Sequence, residues 1–176
     1  YVVLERSDEA KLRNAHIEGY IGGYGNHCDA FHQTATSPDG EGAYLAMRDA
    51  LKMANIPMAS VDYINAHGTA THHNDLFETR AIKMAFGEHA KNLRINSTKS
   101  MVGHLLGAAG AVEFVACVKE IEEGYIHKTL GYTTPDEEID LNYCKEAYQE
   151  EVPYALSNSL GFGGHNASLL IKKYTE

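Results

Sequence analysis

A layered α/β domain with a mixed sheet is predicted by three features of this sequence. Short apolar runs that read as buried strands alternate with helical stripes. Three of these strands run into polar loops that contain glycine. The chain closes on two strands joined by Gly161-Phe162-Gly163-Gly164, which read as an antiparallel hairpin added to the alternating part.

Each element has its own signal. Tyr1 to Glu5 reads as a strand and Asp8 to Asn14 as a short polar helix. Ile17 to Tyr24 is a strand ended by the breaker Gly22-Gly23-Tyr24-Gly25. Residues 26–38 form a loop. Pro38, Asp39 and Glu41 suit a helix N-terminus. Ala43, Met47, Ala50, Leu51 and Ala54 give that helix one apolar stripe. Val61 to Ala66 is a buried strand and His67 to Asn74 a polar loop. Asn74 or Asp75 caps the next helix, with Leu76, Ala81, Ile82, Ala85 and Phe86 inside and Gly87 as the stop. Leu93 to Ser97 is a strand and Ser97 to Gly103 a second polar loop. A long helix from Leu105 to Glu123 begins with small residues and turns apolar. Residues 125–152 carry little regular signal, and Thr133-Thr134-Pro135-Asp136 reads as an exposed turn. Tyr154 to Ser159 and Ala167 to Ile171 form the closing pair.

The 176 residues fit one domain or half of a larger one. A hydrophobic content of 44% excludes a disordered chain. The net charge of −9 argues against nucleic acid, which needs a basic face. No apolar run reaches the roughly 18 residues of a membrane helix. Cys28, Cys117 and Cys144 are odd in number and widely spaced, which suits a reducing compartment. With no charged-then-apolar leader, the expected location is the cytoplasm. The opening Tyr-Val-Val-Leu-Glu has no methionine and reads as mid-strand. The expectation is a cut chain, or one whose beginning is another polypeptide.

The polar loops at strand ends are where an α/β fold collects its chemistry. His67 and His104 each sit beside a glycine at an element boundary. They are either unrelated surface histidines or a pair facing one pocket, where neutral imidazoles could donate to an oxyanion or accept a proton. Lys99 is either a solvated lysine or a buried cation. Glu113, the one acid between Leu105 and Val118, needs a partner if buried, and Lys99 is a candidate. His67, His72, His73 and Asp75 have no standard zinc spacing, so no metal site is expected. His16, His27, His32, His89 and His127 read as surface or loop residues. Cys117 reads as core packing, and nothing near Cys28 or Cys144 suggests an activated thiol.

Together the stretches VDYINAHGTATHHNDLFETRAIK, STKSMVGHLLGAAGAVE and ALSNSLGFGGHNASL closely resemble the β-ketoacyl-acyl-carrier-protein synthases of the elongating kind and their polyketide relatives. SPDGEGAYLAMRDAL and YVVLE extend the likeness over nearly the whole chain. The resemblance implies a thiolase-like fold, two α/β halves in an αβαβα body. Residues 1–36 would be the last strand-helix-strand elements of the first half and 37–176 the second half. It implies a decarboxylative Claisen condensation between an acyl group held on a cysteine and malonyl on acyl carrier protein. His67 and His104 would hold the malonyl thioester oxygen, with Lys99 and its acidic partner Glu113 beside them. Thr69 and Thr71 would line the phosphopantetheine channel. Phe162 would be the gate, with Gly163 and Asn166 in the same motif, and Thr34 would lie near the carrier-docking surface.

No resident cofactor is implied, since the carrier brings the phosphopantetheine. The implied partners are an acidic acyl carrier protein, the N-terminal half with the cysteine, and a homodimer or a heterodimer with a ketosynthase-like subunit. This chain alone would then be an inactive acyltransferase fragment. Two further roles stay open: a non-catalytic chain-length-setting subunit and an inactive assembly fragment. Retention of His67, Lys99 and His104 favours the active class. This sequence departs from the family pattern in having His72 where proline is usual and His165 where threonine is frequent. None of its cysteines stands at the nucleophile's position.

Overall fold

Alternation along the strands sends apolar side chains to both faces of one sheet, and helices cover each face. In a computed structural model, which describes residues 1–175, the elements are α1 (Ser7–Leu12), β1 (Gly19–Cys28), α2 (Glu41–Ala54), β2 (Tyr63–Asn65), α3 (His72–Phe86) and β3 (Arg94–Asn96). They continue as α4 (Lys99–Val102), α5 (Ala109–Glu123), β4 (Tyr125–Ile126), β5 (Tyr148–Gln149), β6 (Tyr154–Gly161) and β7 (His165–Lys173). The main sheet runs β1-β7-β6-β2-β3. β2 is parallel to β3 and β6, and β7 is antiparallel to β6 and β1. The mixed sheet and its closing hairpin are as the sequence predicts.

Ile64, Leu156 and Leu170 pack with Met47 and Leu51 of α2 and Ile82 of α3. Their strand neighbours Tyr63, Ala155 and Ile171 pack with Cys117, Val118 and Ile121 of α5. The result is a three-layer domain, with α2 and α3 on one face of the sheet and α5 on the other. Cys117 is core packing, and burial raises its thiol pKa well above the usual range.

Several boundaries differ from the sequence reading. Residues 1–6 form no strand, because they have no neighbouring strand to complete a ladder. β1 pairs along its length with β7, so residues 19–28 share a sheet with the C-terminal strands. The glycines near position 23 do not break β1. They let α2 lie directly on it. A Cβ on Gly23 would stand 2.0 Å from the Ala50 carbonyl oxygen, and one on Gly25 1.9 Å from that of Ala46. Gly25→Ala must therefore push α2 off the sheet. It should cost about 3 kcal/mol, the upper end of overpacking, read as a lower denaturant midpoint.

α3 starts at His72, three or four residues early, because Thr71 is the last extended residue and Asp75 N already bonds to Thr71 O at 3.0 Å. The long helix starts late, at Ala109. Gly103 and Leu106 have positive φ, and a 3₁₀ turn fills Leu106–Ala108. The second polar loop contains the single helical turn α4. Among the described residues no helix is long and apolar enough to cross a membrane.

Candidate active site

Because β2 and β3 are parallel, the loops that follow them leave the sheet at the same edge. The loop after β2 is held by a buried acid. The N–H groups of His67 and Gly68 donate to Glu78 Oε1 and Oε2 at 2.9 and 3.0 Å. Asn158 Nδ2 donates to the same Oε1 at 3.2 Å, and Ser168 Oγ donates to Asn158 Oδ1 at 2.7 Å. Burial raises the Glu78 pKa, against which these donors act. From the second loop, Ser97 Oγ donates to Gly68 O at 2.8 Å. Gly68 has φ +42°, and a Cβ there would meet Ser97 Cβ at 2.7 Å, so the two loops can close together only with glycine. Asn65 Oδ1 also ties them, accepting from Thr98 N and Oγ1 at 3.1 and 2.7 Å.

This joining brings His67 and His104 edge to face, ring centroids 5.5 Å apart at 84°. His104 Nδ1 accepts from Leu106 N–H at 3.1 Å, so the neutral ring carries its hydrogen on Nε2. His67 is buried, and its Nδ1 has no partner among the described residues. Burial, with the charge of Lys99 and then His104 adding to it, lowers the His67 pKa to about 3. The His67 ring is therefore neutral at any physiological pH. Lys99 Nζ donates to Glu113 Oε1 at 2.6 Å, with the two side chains only 5% and 2% exposed. Burial raises the Glu113 carboxyl pKa and Lys99 opposes the rise.

A cavity of about 530 Å³ opens here. Gly68, Thr69, Lys99, Gly103 and His104 line it on one side. Leu130, Gly131, Tyr132, Thr134, Asp136 and Tyr143 also line it, all from the connection that the sequence marks only as an exposed turn. That connection docks through Tyr143 OH on Thr79 of α3 and Leu130 N on Ser100 Oγ at 2.9 Å. Two of its residues, Leu141 and Cys144, are buried, and burial pushes the Cys144 thiol pKa up to about 12.

The remaining predicted residues fall elsewhere. Thr71 bonds to Thr69 at 2.8 Å but does not line the cavity. Phe162, 76% exposed, and Gly163 form the β6–β7 turn. Gly163 N donates to Gln33 O at 2.7 Å, in the loop that carries Thr34. Asn166 is fully buried and donates to Asp29 Oδ1 at 3.0 Å and Gly164 O at 2.9 Å. These four thus form a second cluster around the hairpin tip. Among the described residues no three His, Cys, Asp or Glu side chains could hold a metal together. His127, read from sequence as a surface residue, has a side chain only 13% exposed.

Sequence reasoning missed Glu78, which is not isolated as Glu113 is, but helical spacing finds it. Ala81, Ile82 and Ala85 lie three, four and seven residues on, so Glu78 sits on the apolar face of α3. Nothing local marks residues 129–143 as a cavity wall.

A three-layer α/β body with this mixed sheet is that of the thiolase-like ketosynthases. The family described as "Beta-ketoacyl synthase, C-terminal domain" matches residues 18–133, and the chain belongs to it. It is 49% identical over 174 residues to 3-oxoacyl-[acyl-carrier-protein] synthase 2 of Synechocystis sp. (strain PCC 6803), covering 98% of this chain and 42% of that protein. The chain therefore spans less than half the length of this relative. Among solved structures it is similar to the ketosynthase AntDE of a type II polyketide synthase, in complex with its acyl-carrier protein AntF (TM-score 0.94, 40% identity, 97% of this chain and 42% of that one). It is also similar to the ishigamide ketosynthase/chain length factor (TM-score 0.90, 36% identity, 96% of this chain and 41% of that one).

Proposed function

We propose that the chain is the C-terminal part of a β-ketoacyl-acyl-carrier-protein synthase, an acyltransferase of fatty-acid or polyketide assembly. The observation that carries this reading is the edge-to-face pairing of His67 with His104, which lines the cavity together with Lys99, the lysine held by buried Glu113. The malonyl C–C bond breaks and CO2 leaves. Its electron pair becomes an enolate whose negative charge grows on the thioester oxygen. His104 Nε2–H and an N–H of His67 donate to that oxygen, the electrostatic stabilisation the step needs. The carbanion then attacks the acyl thioester carbon and the cysteine thiolate departs. Thr69 and Thr71 contact the phosphopantetheine arm. Phe162 gates the acyl site, its backbone amide serving an oxyanion hole, and Gly163 and Asn166 hold that turn. Thr34 lies toward the carrier.

The cysteine belongs to an N-terminal half that packs against this one. Exposed Val102, Leu105, Leu106 and Val115 around the start of α5 support such a partner. Neighbours solved with an acyl-carrier protein and with a chain length factor support those two partners as well. The free thiols Cys28, Cys117 and Cys144 fit a cytoplasmic enzyme.

Native and denaturing mass spectrometry of the purified protein, with an acyl label and malonyl-carrier as substrate, tests the reading. A second half that takes the label, in an assembly that releases CO2, is the expected result. A soluble, unpaired 19.3 kDa species that releases none retires the enzyme in favour of an assembly role.

A further inference from the structure

A polar cluster with no part in the scheme above lies under the Lys99 loop, on the α5 side of the sheet. Asn96, the last residue of β3, has a fully buried side chain. Its Nδ2 donates to His127 O at 3.0 Å and to Glu120 Oε1 at 3.1 Å. The carbonyl of His127 can only accept, so the amide is oriented with Oδ1 toward Tyr63 Oη, 2.9 Å away. Tyr63 Oη also contacts Glu120 Oε2. The phenol has one hydrogen and faces two acceptors. Both contacts are satisfied only if Glu120 Oε2 itself carries a proton. It then donates to Tyr63 Oη, and Tyr63 donates to Asn96 Oδ1. Glu120 Oε1 remains to accept from Asn96 Nδ2 and from His127 N–H at 2.9 Å.

The charges nearby agree. Around Glu120 stand Tyr63 of β2, Cys117 of its own helix, Cys144 of the connection and His127. Of these only His127 can be a cation, and its Nε2 is 3.8 Å from Glu120 Oε1. A transfer of the proton to His127 would gain a 3.3 Å contact with Thr98 Oγ1. It would also leave a buried carboxylate whose cation stands 3.8 Å away, beyond hydrogen-bond reach, and the Tyr63–Asn96 contact without a hydrogen. Burial raises the Glu120 pKa in the same sense.

We infer that Glu120 is a neutral carboxylic acid in the folded protein and a positioning residue for the condensing site. Through Asn96 it fixes the strand end that runs into Ser97, Thr98 and Lys99. Through the N–H of His127 it fixes the start of the connection that forms the far wall of the cavity. The positioning role rests on the ketosynthase reading. The protonation state does not.

Glutamine reproduces the acid here, with an NH2 to donate to Tyr63 and a carbonyl to accept from Asn96 and His127 N–H. In the complete protein, Glu120→Gln should keep wild-type thermal stability and a decarboxylation rate within about twofold, whereas Glu120→Ala, breaking several buried hydrogen bonds, should be slower by about tenfold or more. The infrared spectrum of the wild type minus that of Glu120→Gln should contain a protonated-carboxyl C=O stretch that persists at neutral pH. Absence of that band, or Glu120→Gln as unstable as Glu120→Ala, overturns the inference. Failure of the complete protein to release CO2 from malonyl-carrier overturns the functional reading instead. The band and the contrast in stability between the two variants are still read in that case.

Discussion

His104→Ala in the complete ketosynthase should lower malonyl decarboxylation by about 10²–10³-fold, the cost of one oxyanion donor, while acyl loading of the cysteine stays near wild type. The Leu106 N–H on Nδ1 leaves His104 Nε2–H as the donor, and alanine removes it. His67 remains, which sets a floor above the uncatalysed rate. Loading needs a nucleophile and its own oxyanion hole, and among the described residues no hydrogen bond joins His104 to the β6–β7 turn. Separate assays of CO2 release and of acyl-enzyme mass check both halves of the expectation. Lost loading with normal decarboxylation would reverse the assignment. The pH profile adds a second check. With its pKa lowered from 6.5 to about 3, His67 binds no proton in the folded protein over the neutral range. It should add no ionisation to the decarboxylation profile between about pH 5 and 8. The unfolded chain, by contrast, protonates this ring near 6.5. The His67 contribution to stability is thus complete above that value and is lost as pH falls toward 3.

The chemistry-bearing loops were legible because each follows a short apolar run and contains glycine, a pattern that lies within a dozen residues. His67, Lys99 and His104 could be singled out this way, and Glu113 through its isolation in an apolar helix. What brings them together was not legible. The parallel pairing of β2 with β3 is a contact between residues about thirty apart, and no local pattern encodes it. The glycines at 23 and 25 show the opposite failure. Glycine signals both turns and close approach, and only the position of α2 on β1 decides between them. The third polar loop lies apart from the other two, at a hairpin tip where Asn166 Nδ2 donates to Gly164 and to Asp29, the latter a tie between residues 137 apart that no local pattern encodes. Residues 129–143 acquire their role as a wall only by docking on α3 and α4. Glu78 and Glu120 carry a more general lesson. An acid on the packed face of an amphipathic helix is a buried acid, and it has donors or a proton of its own.

The Lys99–Glu113 pair puts that lesson to a stability test. Lys99→Met keeps the length of the side chain and removes its charge, which leaves Glu113 buried with both oxygens unpaired, since Oε2 already has no partner. Breaking a buried pair from one side costs about 3–5 kcal/mol, far more than the net worth of the pair itself. Lys99→Met should therefore lower stability at neutral pH by that amount. Lys99→Met with Glu113→Gln should recover most of it, because the charge that needed the lysine is gone. The dependence on pH follows from the direction of the shift. Burial holds the Glu113 pKa above 4.5 and Lys99 holds the rise in check. Without Lys99 the folded-state value rises further. A raised carboxyl contributes stability that is complete below the unfolded value and is lost as pH climbs through the folded one. The deficit of Lys99→Met should thus be largest at neutral pH and shrink on acidification toward 4.5, where the orphaned acid takes up a proton. Denaturant titrations of the wild type and the single and double variants at several pH values measure this. A deficit independent of pH, or a double variant as unstable as Lys99→Met, would mean that lost packing by the lysine stem, and not an unpaired buried charge, is what the substitution reports.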